Sequence, residues 1–182
     1  MIARPASDDR HLSFSNLIEA HVLKALRKQF RVDMKQLRTA LEFASKKLGV
    51  KRVLLSEQLR ATQGNVFLEH LGHLLNLGRG GQEAMPEILA AFLERVEWGP
   101  QGLPLRIFPP TRPDVSAAPR IVAINPKVAF GRPVIARNGV TTAVIVERFG
   151  MGESLAEIAD DYDLELPEVE EALRYESQAR AA

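Results

Sequence analysis

The chain has no cysteine among its 182 residues, so disulfides and thiolate-held metals are excluded. It also lacks any apolar run near the ~18 residues that a membrane-spanning helix needs. Met1 to Arg10 is too polar for a signal peptide. These absences point to a soluble, cytoplasmic protein. No Ser/His/Asp set stands out and no thiol nucleophile exists, so no catalytic residue, cofactor or metal is expected and the chain is not read as an enzyme. What is present is ordinary for a globular protein, with 46% hydrophobic and 26% charged residues. At this length one large domain or two small ones could bury about 70% of the unfolded surface.

The net charge of +1 conceals an asymmetry. Residues 1–60 hold 13 Lys and Arg against 6 Asp and Glu, a net +7. Residues 147–182 hold 3 basic and 11 acidic residues, a net −8. Such a split suits two different partners or a head-to-tail contact between copies, although solvated helix surfaces alone would also produce it.

Met1 to His11 is polar and unanchored. Ser13, Ser15 and Asn16 are cap candidates for a helix to about Phe30, with Ile18, Val22, Ala25 and Leu26 as its inner stripe. Asp33 and Gln36 form a capping box for a second helix, in which Met34, Leu37, Leu41, Ala44 and Leu48 recur at helical spacing and Gly49 closes the end. Basic residues surround this pair: Arg27, Lys28, Arg31, Lys35, Arg38, Lys46, Lys47, Lys51 and Arg52. Such a surface can track phosphates. It lacks the Asn, Gln and Ser that accompany Arg in base readout, so backbone contact is expected. Cations near helix C-termini also favour the macrodipole with no partner at all.

Leu54 to Leu77 reads as short strands, Val66 to Leu68 foremost, with turns at Gln63-Gly64 and Gly72. On a strand, His70 and His73 would lie on opposite faces, which argues against a metal. Gly78-Arg79-Gly80-Gly81 lacks the Lys-Ser/Thr of a P-loop and reads as a plain turn. A helix from Gln82 to Glu97 follows, with Met85, Ile88, Leu89, Phe92 and Val96 on one face. Gly99 to Pro119 holds six of the 11 prolines, which excludes a regular helix or a central strand. Leu105 to Phe108 can still pair at a sheet edge. The segment reads as a linker, with the domain boundary near Ala117.

The last third opens with two extended runs, Ile121 to Ile124 and Val134 to Ala136, and an Asn138-Gly139 turn. Three helices follow. Thr141 or Thr142 caps the first, to about Phe149; Ser154 with Glu157 boxes the second; Pro167 opens the third. The third carries Glu165, Glu168, Glu170, Glu171 and Glu176 against Arg174, an arrangement that would repel phosphates and so favours a protein partner. Asp160, Asp161, Asp163 and Glu165 lack the glycine and distal glutamate of a calcium loop. The fold class is α+β, mainly helical. An N-terminal basic helical domain with short strands spans 1–117, including a Pro-rich linker at 99–117. C-terminal strands plus a three-helix, helix-turn-helix-like bundle span 118–182.

The runs Ala129-Phe130-Gly131-Arg132-Pro133-Val134-Ile135, Gly139-Val140-Thr141-Thr142, Gly152-Glu153-Ser154-Leu155-Ala156-Glu157-Ile158-Ala159 and Glu171-Ala172-Leu173 resemble a small bacterial domain long labelled as of unknown function. That domain is common in antitoxins of type II toxin–antitoxin pairs. The rest of the chain is similar to the longer VapB-type antitoxins, and Leu12 to Gly49 resembles the second helix pair of a MerR-like DNA-binding domain. The front helix-turn-helix of that pattern is not legible in Met1 to His11. The resemblance implies an antitoxin that neutralises a PIN-type ribonuclease toxin and helps repress its own operon by binding operator DNA, acting as a homodimer or higher homo-oligomer. Blocking an acidic, metal-dependent ribonuclease site would most simply use an arginine on an extended arm. Trp98, Arg106, Phe108 and Arg112 are the candidates for that toxin-binding arm. A regulator that binds DNA without a toxin is the alternative.

Overall fold

A computed structural model describes residues 12–56, 59, 65–74 and 79–180. The chain divides into two compact units, Met1–Pro104 and Leu105–Ala182. The division falls inside the Pro-rich stretch. Among the described residues there are seven α-helices and four short strands, a mainly helical α+β fold. No helix of the described residues is long and apolar enough to cross a membrane.

In the first unit, α1 spans Phe14–Phe30 and α2 spans Met34–Leu48. Both begin at capping boxes. Ser13 Oγ accepts from Asn16 N–H at 3.2 Å and Asn16 Oδ1 accepts from Ser13 N–H at 2.9 Å. Asp33 and Gln36 do the same for α2, and Gly49 ends it at φ 68°, a left-handed position that only glycine takes without cost. Of the expected inner stripes, Ile18, Val22, Ala25 and Leu26 of α1 and Leu37, Leu41 and Ala44 of α2 lie in the core, where Ala40 joins them; Met34 and Leu48 are only partly buried.

The described residues within 54–77 do not form strands. A 3-10 turn at Val53–Leu55 is followed by helix α3, Asn65–Leu74, which packs on α2. Phe67, Leu68 and Leu71 are buried at i, i+1 and i+4, a helical pattern that a short apolar run shares with a strand. Gly72 lies within this helix; Gln63-Gly64 falls outside the described residues. Helix α4, Arg79–Leu93, starts three residues earlier than expected, so residues 79–81 open the helix itself; Gly78 lies outside the described residues. Pro86 removes one of its backbone hydrogen bonds. The segment expected to end the helix is instead strand β1, Val96–Trp98.

In the second unit, strands β2 (Pro104–Ile107), β3 (Val122–Ile124) and β4 (Pro133–Ile135) run antiparallel in that order. Ile107 pairs with Ile124, and Val122, Ala123 and Ile124 pair with Ile135, Val134 and Pro133. From Leu105 onward the Pro-rich stretch is therefore part of this unit and not a free linker: Ile107, Phe108, Thr111, Val115 and Ala118 are buried. Helices α5 (Thr142–Gly150), α6 (Leu155–Asp161) and α7 (Leu166–Arg180) pack on one another, and α5 and α7 also lie against the strands. Ile135, Ile145, Ile158, Leu164, Val169 and Ala172 make one apolar cluster. The expected caps at Thr141 and Ser154 hold, although Thr141 makes no side-chain cap bond. The Asn138-Gly139 turn is present, with Gly139 at φ 80° and Asn138 Nδ2 donating to the Tyr162 carbonyl at 3.0 Å.

Candidate interaction surfaces

The basic residues of the first unit occupy two ends of one helix pair. Arg27 and Arg31 stand exposed at the end of α1, and Lys35 and Arg38 at the start of α2. Lys46, Lys47 and Lys51 stand exposed near its C-terminus. The side chain of Lys28 lies outside the described residues. At 100° per residue Lys35, Arg38 and Lys46 share one side of α2, a stripe about 16 Å long. Exposed Glu42 falls in the middle of it, four residues from both Arg38 and Lys46. Its carboxylate cuts the positive field of that stripe.

Arg52 is committed elsewhere. Its guanidinium donates through Nε to Glu19 Oε1 at 3.0 Å and through Nη2 to Glu19 Oε2 at 2.7 Å. Glu19 is buried and also accepts from Asn16 Nδ2 at 3.4 Å. This chain of contacts fastens the N-terminal end of α1 to the segment after α2. The hydrogen bond to Glu19 raises the pKa of Arg52. Two partners of this kind make a structural brace, since a buried carboxylate left alone would carry a large desolvation cost.

His70 lies on a helix and not on a strand, and it stacks flat on Phe43, with centroids 3.9 Å apart at 12°; the side chain of His73 lies outside the described residues. No group of three metal-ligating side chains occurs among the described residues. His21 is different. It meets Phe92 edge-on at 5.3 Å, its Nε2 is buried with no hydrogen-bond partner among the described residues, and its pKa is lowered to about 4. Burial is the main cause, with the positive charges of Arg95 and Lys24 adding to it.

The arm candidates are folded into structure. Phe108 is 4% exposed, with the guanidinium of Arg106 4.9 Å from its ring centroid and that of Arg120 at 6.0 Å. Trp98 is half-buried in β1. Arg112 donates to Glu171 Oε2 at 3.1 Å with its own side chain about half exposed.

The acidic third helix is not the outward-facing wall of carboxylates expected from its sequence. Glu171 is 2% exposed and is held by Thr111, Arg112 and Arg174. Burial alone would push its pKa up, but the bonds from Thr111 and Arg112 prevail and lower it. Glu168 is bound by Arg137 at 3.0 and 3.2 Å, and this bond lowers its pKa. Glu176 accepts from Thr142. Only Glu165 and Glu170 of the five face solvent. Asp161, from the acidic run before that helix, is paired with Arg148, which also holds Glu153. A sequence signal for this existed: Glu168 and Glu171 fall in register with Val169 and Ala172 on the inner stripe.

The comparisons with known proteins bear on both units. Residues 122–175 match the family described as "Protein of unknown function (DUF433)". Over 184 residues the chain is 26% identical to "Putative antitoxin VapB45" of Mycobacterium tuberculosis, spanning 94% of this chain and 74% of that protein. Among solved structures, the crystal structure of Rv2018 from Mycobacterium tuberculosis has the same fold. The TM-score is 0.68 at 24% identity, over 94% of this chain and 82% of that one. Residues 122–175 are thus similar to the DUF433 family, and the chain along most of its length is similar to a protein named as a VapB-type antitoxin.

Proposed function

We propose that this chain is the antitoxin of a type II pair, acting in the cytoplasm by binding rather than by catalysis. Its toxin is a PIN-type ribonuclease, and its basic helix pair contributes to repression of their operon as part of a homodimer or higher homo-oligomer. The observation that carries the reading is the likeness to a VapB-type antitoxin along 94% of the chain. The toxin would be met through Trp98, Arg106, Phe108 and Arg112, with Phe108 as a packed base and the two arginines offered to the toxin's carboxylates. Arg112 would exchange Glu171 for a toxin carboxylate, so docking and the hold on α7 are linked.

DNA contact falls to Arg27, Lys28, Arg31, Lys35, Arg38, Lys46, Lys47 and Lys51, in the manner of a MerR-like helix pair. Arg52 would act there only through its hold on α1. About five phosphate contacts would give a log-affinity against log-salt slope near −4 to −5.

Co-expression with a candidate PIN-type ribonuclease from the same cells tests the reading. The chain should relieve RNA cleavage and copurify after nuclease treatment, and Arg106→Glu with Arg112→Glu should weaken that complex. Unrelieved cleavage would remove the antitoxin role. Salt-dependent operator binding with no toxin captured would leave a DNA-binding regulator in its place.

A further inference from the structure

The first unit leaves a cavity between α1, α2 and the segment that follows them. Its volume is about 220 Å³. Leu23, Leu41, Val53 and Leu54 form its apolar wall, each less than a tenth exposed. The polar wall divides into groups that are spent and groups that are not. Glu19 is held by Arg52 and Asn16. Ser45 donates its hydroxyl to the Val50 carbonyl at 2.6 Å, and its own carbonyl accepts from the Val50 N–H at 3.2 Å. Lys46 and Lys51 line the same cavity from exposed positions, and neither ammonium has an ion pair among the described residues.

Glu42 is the remaining carboxylate of the wall, and it too is exposed. With Glu19 and Arg52 neutralising each other, two lysines against one glutamate leave a single positive charge at the mouth. An apolar pit with one surplus cation fits a small amphipathic anion. Size narrows the class. A dry cavity of about 150 Å³ takes benzene, so this one has room for a ring of that size with a carboxylate attached. A bare inorganic anion would leave the four apolar side chains against water. A neutral hydrocarbon would gain nothing from the lysines.

We propose that this cavity binds a small organic monocarboxylate. Its apolar body lies against Leu23, Leu41, Val53 and Leu54, and its carboxylate accepts from Lys46 and Lys51. The same two lysines are among the residues offered above to DNA, so a bound carboxylate competes with a backbone phosphate for them. That competition rests on the DNA part of the functional reading; the site itself does not, and it is independent of a toxin.

Titration of the isotope-labelled full-length chain with benzoate, followed by its amide and methyl signals, provides the test. Signals of residues 19–54 should move and saturate. Benzyl alcohol, which has the body without the charge, should bind about tenfold more weakly, and so should inorganic phosphate, which has charge without the body. Lys51→Gln should weaken benzoate about fivefold or more. Glu42→Gln should tighten it a few-fold, a direction that damage to the fold would not produce. No movement at millimolar benzoate would overturn the site, as would movement confined to residues 142–178. Phosphate binding as tightly as benzoate would reduce it to an anion patch, and an indifferent Lys51→Gln would remove the carboxylate contact; either overturns the proposal. Benzoate bound at residues 19–54 by a chain that takes no DNA would keep the site and remove the DNA reading.

Discussion

The first unit carries its charge outward and the second carries much of it inward. In α1 and α2 Lys24, Arg27, Lys35, Arg38, Lys46 and Lys47 are exposed, while Arg52 is braced on buried Glu19 and Arg95 is itself buried. In the second unit the excess of carboxylates on the helices is drawn onto arginines of the strand half: Arg112 onto Glu171 and Arg137 onto Glu168 and Asp163. A count of charges treats the two ends as mirror images. The folded chain makes one a surface available to a partner and the other largely a set of internal ties.

Breaking each core separately is the strongest test of that contrast. Phe67 is fully buried in the first unit, and Phe67→Ala should cost about 3–5 kcal/mol. Amide exchange should quicken in residues 14–93 and stay unchanged in residues 142–180 if the units are stabilised independently.

Acid separates them next. The folded-state pKa of His21, about 4, lies below its unfolded value of 6.5. The unfolded chain therefore binds the proton more readily, and the stability due to neutral His21 is complete above pH 6.5 and drains away as pH falls towards 4. The loss should be about 3 kcal/mol in the first unit, and His21→Phe should flatten the profile. Glu168 and Glu171 have lowered pKa values. Their stabilisation is present above the unfolded carboxylate pKa of about 4.3 and fades only as pH falls through their folded values. The second unit should thus remain intact through the range in which the first weakens, as followed by urea titration at stepped pH.

Glu171→Ala probes the inward ties. It leaves the Thr111 hydroxyl without its partner and should cost about 2 kcal/mol. Glu170→Ala on the exposed side of the same helix should fall within about 0.5 kcal/mol of zero. The caps give the smallest effects: Asp33→Ala in one unit and Ser154→Ala in the other should each cost about 1 kcal/mol, read from denaturant midpoints.

Much of this was legible beforehand, and the reasons are local. Ser13, Asp33, Ser154 and Gly49 mark helix ends because a side-chain oxygen or a free φ satisfies a need arising within a few residues of them. The stripes of α1 and α2 followed from periodicity alone. Residues 65–74 were misread because Val66 to Leu68 is too short for a period of 2 to be told from one of 3.6. The prolines of residues 99–119 correctly excluded a helix, but they could not show that Ile107 and Phe108 would be buried against a strand and helices further along the chain.

The sequence by itself determined where helices begin and end, which helix faces are apolar, the absence of thiol chemistry and the opposite charge of the two ends. All of these depend on neighbours within a turn or two of chain. Only the tertiary structure decided which charges are available to a partner, because Arg52 with Glu19 and Arg112 with Glu171 are joined across 33 and 59 residues. It also decided that Phe130 would be fully exposed, since a ring's exposure depends on what the rest of the chain leaves uncovered.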